Sequence, residues 1–334
     1  MNLINEGSLV YCQRVKMAYS MKGDHMPKWI IFTSIVLLPV AGMVLAQVTT
    51  DVSYTPAILK PAYEMEKGPI VAIDEAHHNY HTADGRYRPF ASLLQRDGYR
   101  VTGFGEVFSL ESLQEVDVLV ISNPLHERNI MNWSLPTPSA FTEDEVASVH
   151  TWVEKGGSLL LIADHMPFPG AAGDLAKSFG VEFSNGSAWA GNWKVGSPNA
   201  FEFGTGLKKC AVTKGRNEQE TINKVVTFGG SAFKAQKDAI PFLIFGSGSW
   251  SYETKRAGRI SGTPRVSIDG WCQGAIMTIG KGRAAIFGEA AMFSAQIYGA
   301  DQEPMGMNSP DAEQNHQLLL NVMHWLTRAK GIPN

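Results

Sequence analysis

Short apolar runs alternate with amphipathic stretches from residue 69 onward. Pro69-Ile70-Val71-Ala72-Ile73-Asp74 is an apolar run closed by a carboxylate, the pattern of a strand buried on both faces of a parallel sheet. Past a polar loop, Tyr87, Phe90, Leu93 and Leu94 recur at helical spacing, with Asp84 placed to cap the helix and Gly98 to end it. Residues 99–102 open a second strand. The unit then repeats. Ser109 can cap a short helix through Leu110 and Leu113, and residues 116–121 form the next apolar run. Thr142-Glu143-Asp144-Glu145 is a capping box that opens a helix with Val146, Val149, Trp152 and Val153 on one stripe. Gly156-Gly157 stops that helix, residues 158–163 form a further strand, and a short helix over 174–179 closes at Gly180.

Strands alternating with amphipathic helices predict a parallel sheet with helices on both faces and right-handed crossovers. The rhythm breaks after Val181. Residues 184–265 are rich in Gly, Ser, Asn and Trp, carry short runs such as Val225-Val226-Thr227-Phe228 and Phe242-Leu243-Ile244-Phe245, and lack helical stripes. They read as a β-rich insertion. A hairpin follows, with Gly280-Lys281-Gly282 as its turn. The last element, over 312–329, presents Leu318, Leu319, Val322, Met323, Trp325 and Leu326 as a broad docking face.

The beginning of the chain has a different logic. Trp29 to Leu45 is an apolar run preceded by Lys22 and Lys28 and followed by Ala46, which predicts a signal peptide over residues 1–46 with an upstream mis-start before Met17, Met21 or Met26. Residues 47–68 then form a leader and 69–330 the folded domain. The expected location is periplasmic or secreted, with no stable membrane span after cleavage. A net charge of -3 and no dense Lys/Arg run argue against a nucleic-acid partner. Beyond Cys12, only Cys210 and Cys272 remain, so a single disulfide and two separate buried thiols are both open.

Specific stretches carry a resemblance. The opening IVAIDEAHHN, the GGSLLLIADH strand, and GKGRAAIFGEAAMFSAQ followed by NHQLLLNVMHWL resemble the DUF4350 and GIFT-type domains, relatives of class I glutamine amidotransferases. The resemblance spans roughly residues 69–183 and 271–326. It implies an α/β, flavodoxin-like three-layer sandwich with a mostly parallel sheet. It also implies a cysteine in the turn after a central strand, where this chain has Asp164-His165-Met166. No cysteine lies between Cys12 and Cys210, so glutamine hydrolysis by that family's mechanism is not expected.

In open α/β sheets, ligands bind beyond the carboxyl ends of the strands. Those ends carry Asp74, His77, His78 and Asn79; then His126; then Asp164 and His165; and finally Glu289. If the strands run parallel, these groups share one edge. Three readings follow. A divalent metal such as zinc would draw on Asp74, His77, His126, Asp164 and His165. Metal-free acid/base chemistry would centre on Asp164, His165 and Glu289, with Asp74, His77, His78, Asn79 and His126 holding a polar or carbohydrate ligand. Trp133, Trp189, Trp193 and Trp250 would then be candidates to stack on sugar rings. The third reading is a non-catalytic scaffold or assembly module of an envelope machinery.

Overall fold

The computed structural model describes residues 48–191, 193–194 and 197–333, so the expected signal segment lies outside the described residues. The main sheet is assembled from β1 (Ile70–Asp74), β2 (Arg100–Phe104), β3 (Val118–Ser122), β4 (Ser158–Ile162), β5 (Val181–Phe183), β6 (Phe233–Ala235), β7 (Ile240–Ile244), β8 (Cys272–Ile279) and β9 (Gly282–Phe287). Their order is β2-β1-β3-β4-β9-β8-β6-β5, with β7 also pairing β8. From β2 to β9 the strands are parallel. From β9 outward every pairing is antiparallel.

Period-two alternation assigns the strand residues to two cores. Val71, Ile73, Val118, Val120, Leu160, Ile162, Ala285 and Phe287 face one of them. Helix α1 (Arg88–Arg96) brings Phe90 and Leu94 to that core, and the final helix, α3 (Asn315–Leu326), brings Leu318 and Leu319. Ala72, Leu119, Ile121, Leu159, Leu161 and Ile286 face the other core, with Val149 and Trp152 of α2 (Glu143–Lys155). The capping box forms as expected: Thr142 Oγ1 accepts the Glu145 N–H at 3.3 Å, and Glu145 Oε2 accepts the Thr142 N–H at 3.0 Å.

The predicted flavodoxin-like, mostly parallel three-layer sandwich does not form. The main sheet is mixed, and strand (27%) exceeds helix (20%). Three smaller antiparallel sheets accompany it: Thr49–Thr50 with Ala295–Tyr298 and Glu303–Gly306; Ser187–Trp189 with Trp250–Tyr252 and Arg265–Ser267; and Asn199–Glu202 with Lys224–Thr227. The cause is local. Gly280, at φ 57°, and Lys281 close a hairpin between Ile279 and Gly282, and so tight a turn joins only antiparallel strands. Residues 184–265 then supply strands without long crossover helices, so parallel pairing has no connection to use.

Smaller expectations also shift. Asp84 does not cap α1: backbone bonds from Gly85 and Tyr87 to the Thr82 carbonyl close that turn, and Pro89 starts the helix. Residues near Ser109 form turns, with Ser109 Oγ accepting the Ser112 N–H at 3.0 Å. Cys210 and Cys272 are buried free thiols, and burial pushes Cys272 up to about 11. Among the described residues, no helix is long and apolar enough to cross a membrane.

The two ends of the domain meet in a buried polar contact. His324 of α3 lies 2.6 Å from Asp97 Oδ2, both side chains fully buried, and Asp97 Oδ1 accepts the Ala62 N–H at 2.8 Å. One carboxyl therefore fixes the end of α1, the last helix and the leader. Removing one partner strands the other in an apolar core. Asp97→Ala is expected to lower stability by about 3 kcal/mol, read as a denaturant midpoint shift. An unchanged midpoint would refute this role.

Candidate functional site

The ends of β1, β3, β4 and β9 lie side by side and point the same way, as their parallel registers require. Their polar groups nevertheless separate into two clusters, and pleating explains the division. Asp74 continues the face of Ala72, toward α2, whereas Asp164 and Glu289 continue the faces of Ile162 and Phe287, toward α1 and α3.

The first cluster is closed. His77 Nδ1 lies 2.9 Å from Asp74 Oδ1, and its Nε2 lies 2.9 Å from Glu145 Oε1. Phe108 and Phe141 pack on the ring with centroids at 4.5 and 4.7 Å. Burial opposes the imidazolium charge, but the Asp74 and Glu145 carboxyls outweigh it and raise the pKa above its ordinary value. Glu145 is likewise desolvated, yet bonds from the Thr142 and Phe108 amides and from His77 hold its pKa low. Both His77 nitrogens are spent on carboxyls, so His77 has none left for a metal or substrate. Asn79 braces the turn, its Oδ1 accepting the His77 N–H at 3.2 Å. His78 is exposed, at φ 49°.

The second cluster is open. Asn123 adopts φ 52°, a left-handed conformation that Asn tolerates, and Oδ1 accepts the Asp164 N–H at 2.8 Å. Its Nδ2 lies 3.3 Å from His81 Nδ1, and burial drives that imidazole down to about 3. Asp164 Oδ1 accepts the His165 N–H at 2.7 Å, and Oδ2 accepts the Ala290 N–H at 3.3 Å. Glu289 is buried, its oxygens accepting the Ala291 and Met292 N–H groups at 2.9 and 2.8 Å. Burial, and then the neighbouring Asp164 charge, push Glu289 well above the usual carboxyl range. Asp164 itself is only half-buried.

An aromatic wall adjoins this group through His165. Its Nδ1 donates to the Met166 carbonyl at 2.7 Å, which leaves Nε2 of the neutral ring as an acceptor. The half-buried Trp133 lies 5.9 Å from His165 and 5.5 Å from Tyr80, and the Arg86 guanidinium sits 4.3 Å above Tyr80. Phe168 backs these rings.

His126 stands apart from both clusters: its Nδ1 accepts the Arg128 N–H at 3.1 Å and caps a short 3-10 turn. Among the described residues no three His, Cys, Asp or Glu groups are placed to hold a metal ion. The surface hollow lined by Phe141, Val146, His150 and Asp174 contains none of the strand-end candidates. Sequence reasoning missed Glu145, which its capping box marks only as a helix start, and also Tyr80, His81 and Arg86. The run His77-His78-Asn79-Tyr80-His81 was the available signal.

The bridge has a pH signature. The His77 contribution is complete below its unfolded value of about 6.5 and fades as pH rises through the higher folded value. His77→Gln is therefore expected to cost more stability at pH 6 than at pH 9, by unfolding midpoints at each pH. An equal cost at both would refute the charged bridge.

No family model and no curated protein matches this chain. Solved structures do. The mmIFT52 N-terminal domain is similar with a TM-score of 0.55 at 16% identity, over 77% of this chain and 97% of that one. Likeness at that identity shows the fold alone. A ThuA-like protein from Bacteroides uniformis ATCC 8492 gives a TM-score of 0.41 at 12% identity, covering 81% of this chain and 94% of that one. A β-galactosidase from Bacillus circulans sp. alkalophilus gives 0.42 at 10% identity, over 78% of this chain but 31% of the enzyme.

Proposed function

We propose that the open edge beyond β3 and β4 binds a neutral carbohydrate ligand. The observation that carries this is the half-buried ring wall of Tyr80 and Trp133, adjoining the polar pair Asp164 and His165. Aromatic faces suit the C–H faces of a sugar, and a carboxyl group beside an imidazole suits its hydroxyls. Arg86 over Tyr80 stiffens that ring. Binding is favoured over hydrolysis because Glu289 is occupied by backbone amides and sealed behind Ala290–Met292. Glu289 thus acts as a positioning residue behind Asp164, which is half-buried at the edge.

Titration of the mature chain with a panel of neutral oligosaccharides, followed by calorimetry, tests this. Trp133→Ala is expected to weaken binding about tenfold, equivalent to about 1.4 kcal/mol, in protein that circular dichroism shows to be folded. Silence across the panel would remove the ligand reading and leave the non-catalytic assembly module.

Glu289→Gln gives a separate check. The Gln carbonyl can accept one of the Ala291 and Met292 N–H groups but its NH2 cannot accept the other, so this variant should lose about 1 kcal/mol. Glu289→Ala, which strands both amides, should lose about 2 kcal/mol or more. Equal losses for the two variants, read as unfolding midpoints, would refute the paired amide contacts.

A further inference from the structure

A second aromatic surface lies on the small sheet of Ser187–Trp189, Trp250–Tyr252 and Arg265–Ser267. Trp250 pairs with Trp189 on one side and Ser267 on the other; Tyr252 pairs with Ser187 and Arg265. Directly paired residues share a face, so Trp189, Trp250, Tyr252 and Arg265 all stand on the same side. The other side is turned to the body of the protein, where Ala188 and Ser251 are fully buried and Ser251 Oγ lies 3.0 Å from Ser184 Oγ. The outer face of such a sheet is ordinarily polar. Here it is a row of half-buried rings. Trp193 adds another, 4.3 Å from Trp189 and 6.4 Å from Trp250.

Arg265 completes the face. Its guanidinium lies 4.2 Å from the Trp250 ring and 5.8 Å from the Tyr252 ring, and its Nε donates to Tyr252 Oη at 3.0 Å. The side chain is exposed, and among the described residues no carboxylate lies within ion-pair distance of it. Lys194, also exposed, follows Trp193. Trp250 Nε1 is shielded from solvent and has no acceptor. A guanidinium held flat by stacking is organised for bidentate recognition of a carboxylate.

We propose that this face is a binding surface for an acidic polysaccharide, with sugar rings laid along the tryptophans and a uronate carboxylate on Arg265. It is distinct from the crevice at Asp164 and does not depend on the reading given to that crevice. The sheet is too small for a stable protein interface, which takes about 20–30 residues a side. A nucleic-acid strand would need a basic stripe that a chain of net charge -3 does not display.

The test uses the mature chain, an oligogalacturonate, and the same oligomer as its methyl ester, which keeps the rings and removes the charge. Calorimetry should show the acid form binding, about tenfold more tightly than the ester, and weakening as salt rises. Arg265→Gln should erase the preference for the acid form, and Arg265→Lys should restore part of it. Trp193→Ala, on a loop, should weaken both forms. Trp133→Ala should leave the extra affinity for the acid form over the ester intact, which separates this surface from the crevice. Near-ultraviolet circular dichroism verifies that each variant is folded. The proposal is overturned if the acid form does not bind, or if folded Arg265→Gln binds it as wild type does. It is equally overturned if Trp133→Ala abolishes that binding, or if single-stranded DNA binds as tightly.

Discussion

The loop that carries Tyr80 and His81 at the carboxyl edge of the sheet rests on one buried polar bridge, His77 between Asp74 and Glu145. Asp74 ends β1, and Glu145 is the third residue of α2, so the bridge ties the first strand to the helix that covers it. Such a pair carries a desolvation cost, and an apolar replacement of equal volume is often no less stable. What it adds is direction. Both imidazole nitrogens are committed, Phe108 and Phe141 clamp the ring, and the loop through Asn79 to His81 follows from that fixed point. With that loop set, Tyr80 meets Trp133 and His81 meets Asn123.

Two carboxyls near this edge, Glu145 on α2 and Glu289 beyond β9, are pushed in opposite directions by their surroundings. Glu145 is desolvated, yet amide donors and an imidazolium hold it ionised. Glu289 also has amide donors, but complete burial beside Asp164 favours its neutral form.

Much of the parallel half was legible in the chain. Apolar runs of five or six residues ending in polar groups located β1, β3 and β4, and the Thr142–Glu145 box marked the start of α2 to the residue. In the antiparallel half only the β8–β9 hairpin was legible, from its Gly280-Lys281-Gly282 turn. Short β-like runs over 184–265 announce strands but not partners, and β8 accepts two of them, β7 and β6, besides β9, along its eight residues. Partner choice is a long-range property, which local pattern does not encode. The candidate site was half legible for a related reason. Sequence places Asp74, Asp164 and Glu289 on one edge, but the pleat decides the face, and a shift of one residue at a strand's end transfers a side chain to the other core.

The same pleat logic bears on why the fold carries a second ring-bearing surface. In the parallel half both sheet faces are consumed by helices, so polar chemistry is confined to the strand ends. The small sheet of Trp189, Trp250 and Arg265 has only its Ala188 and Ser251 side covered, which leaves an entire face available. Half-buried tryptophans on a strand face recover only part of the burial gain that a core position would give them, because those rings remain partly in water. Their presence there, beside a guanidinium with no carboxylate within ion-pair distance among the described residues, is better accounted for by what they would meet than by what they pack against.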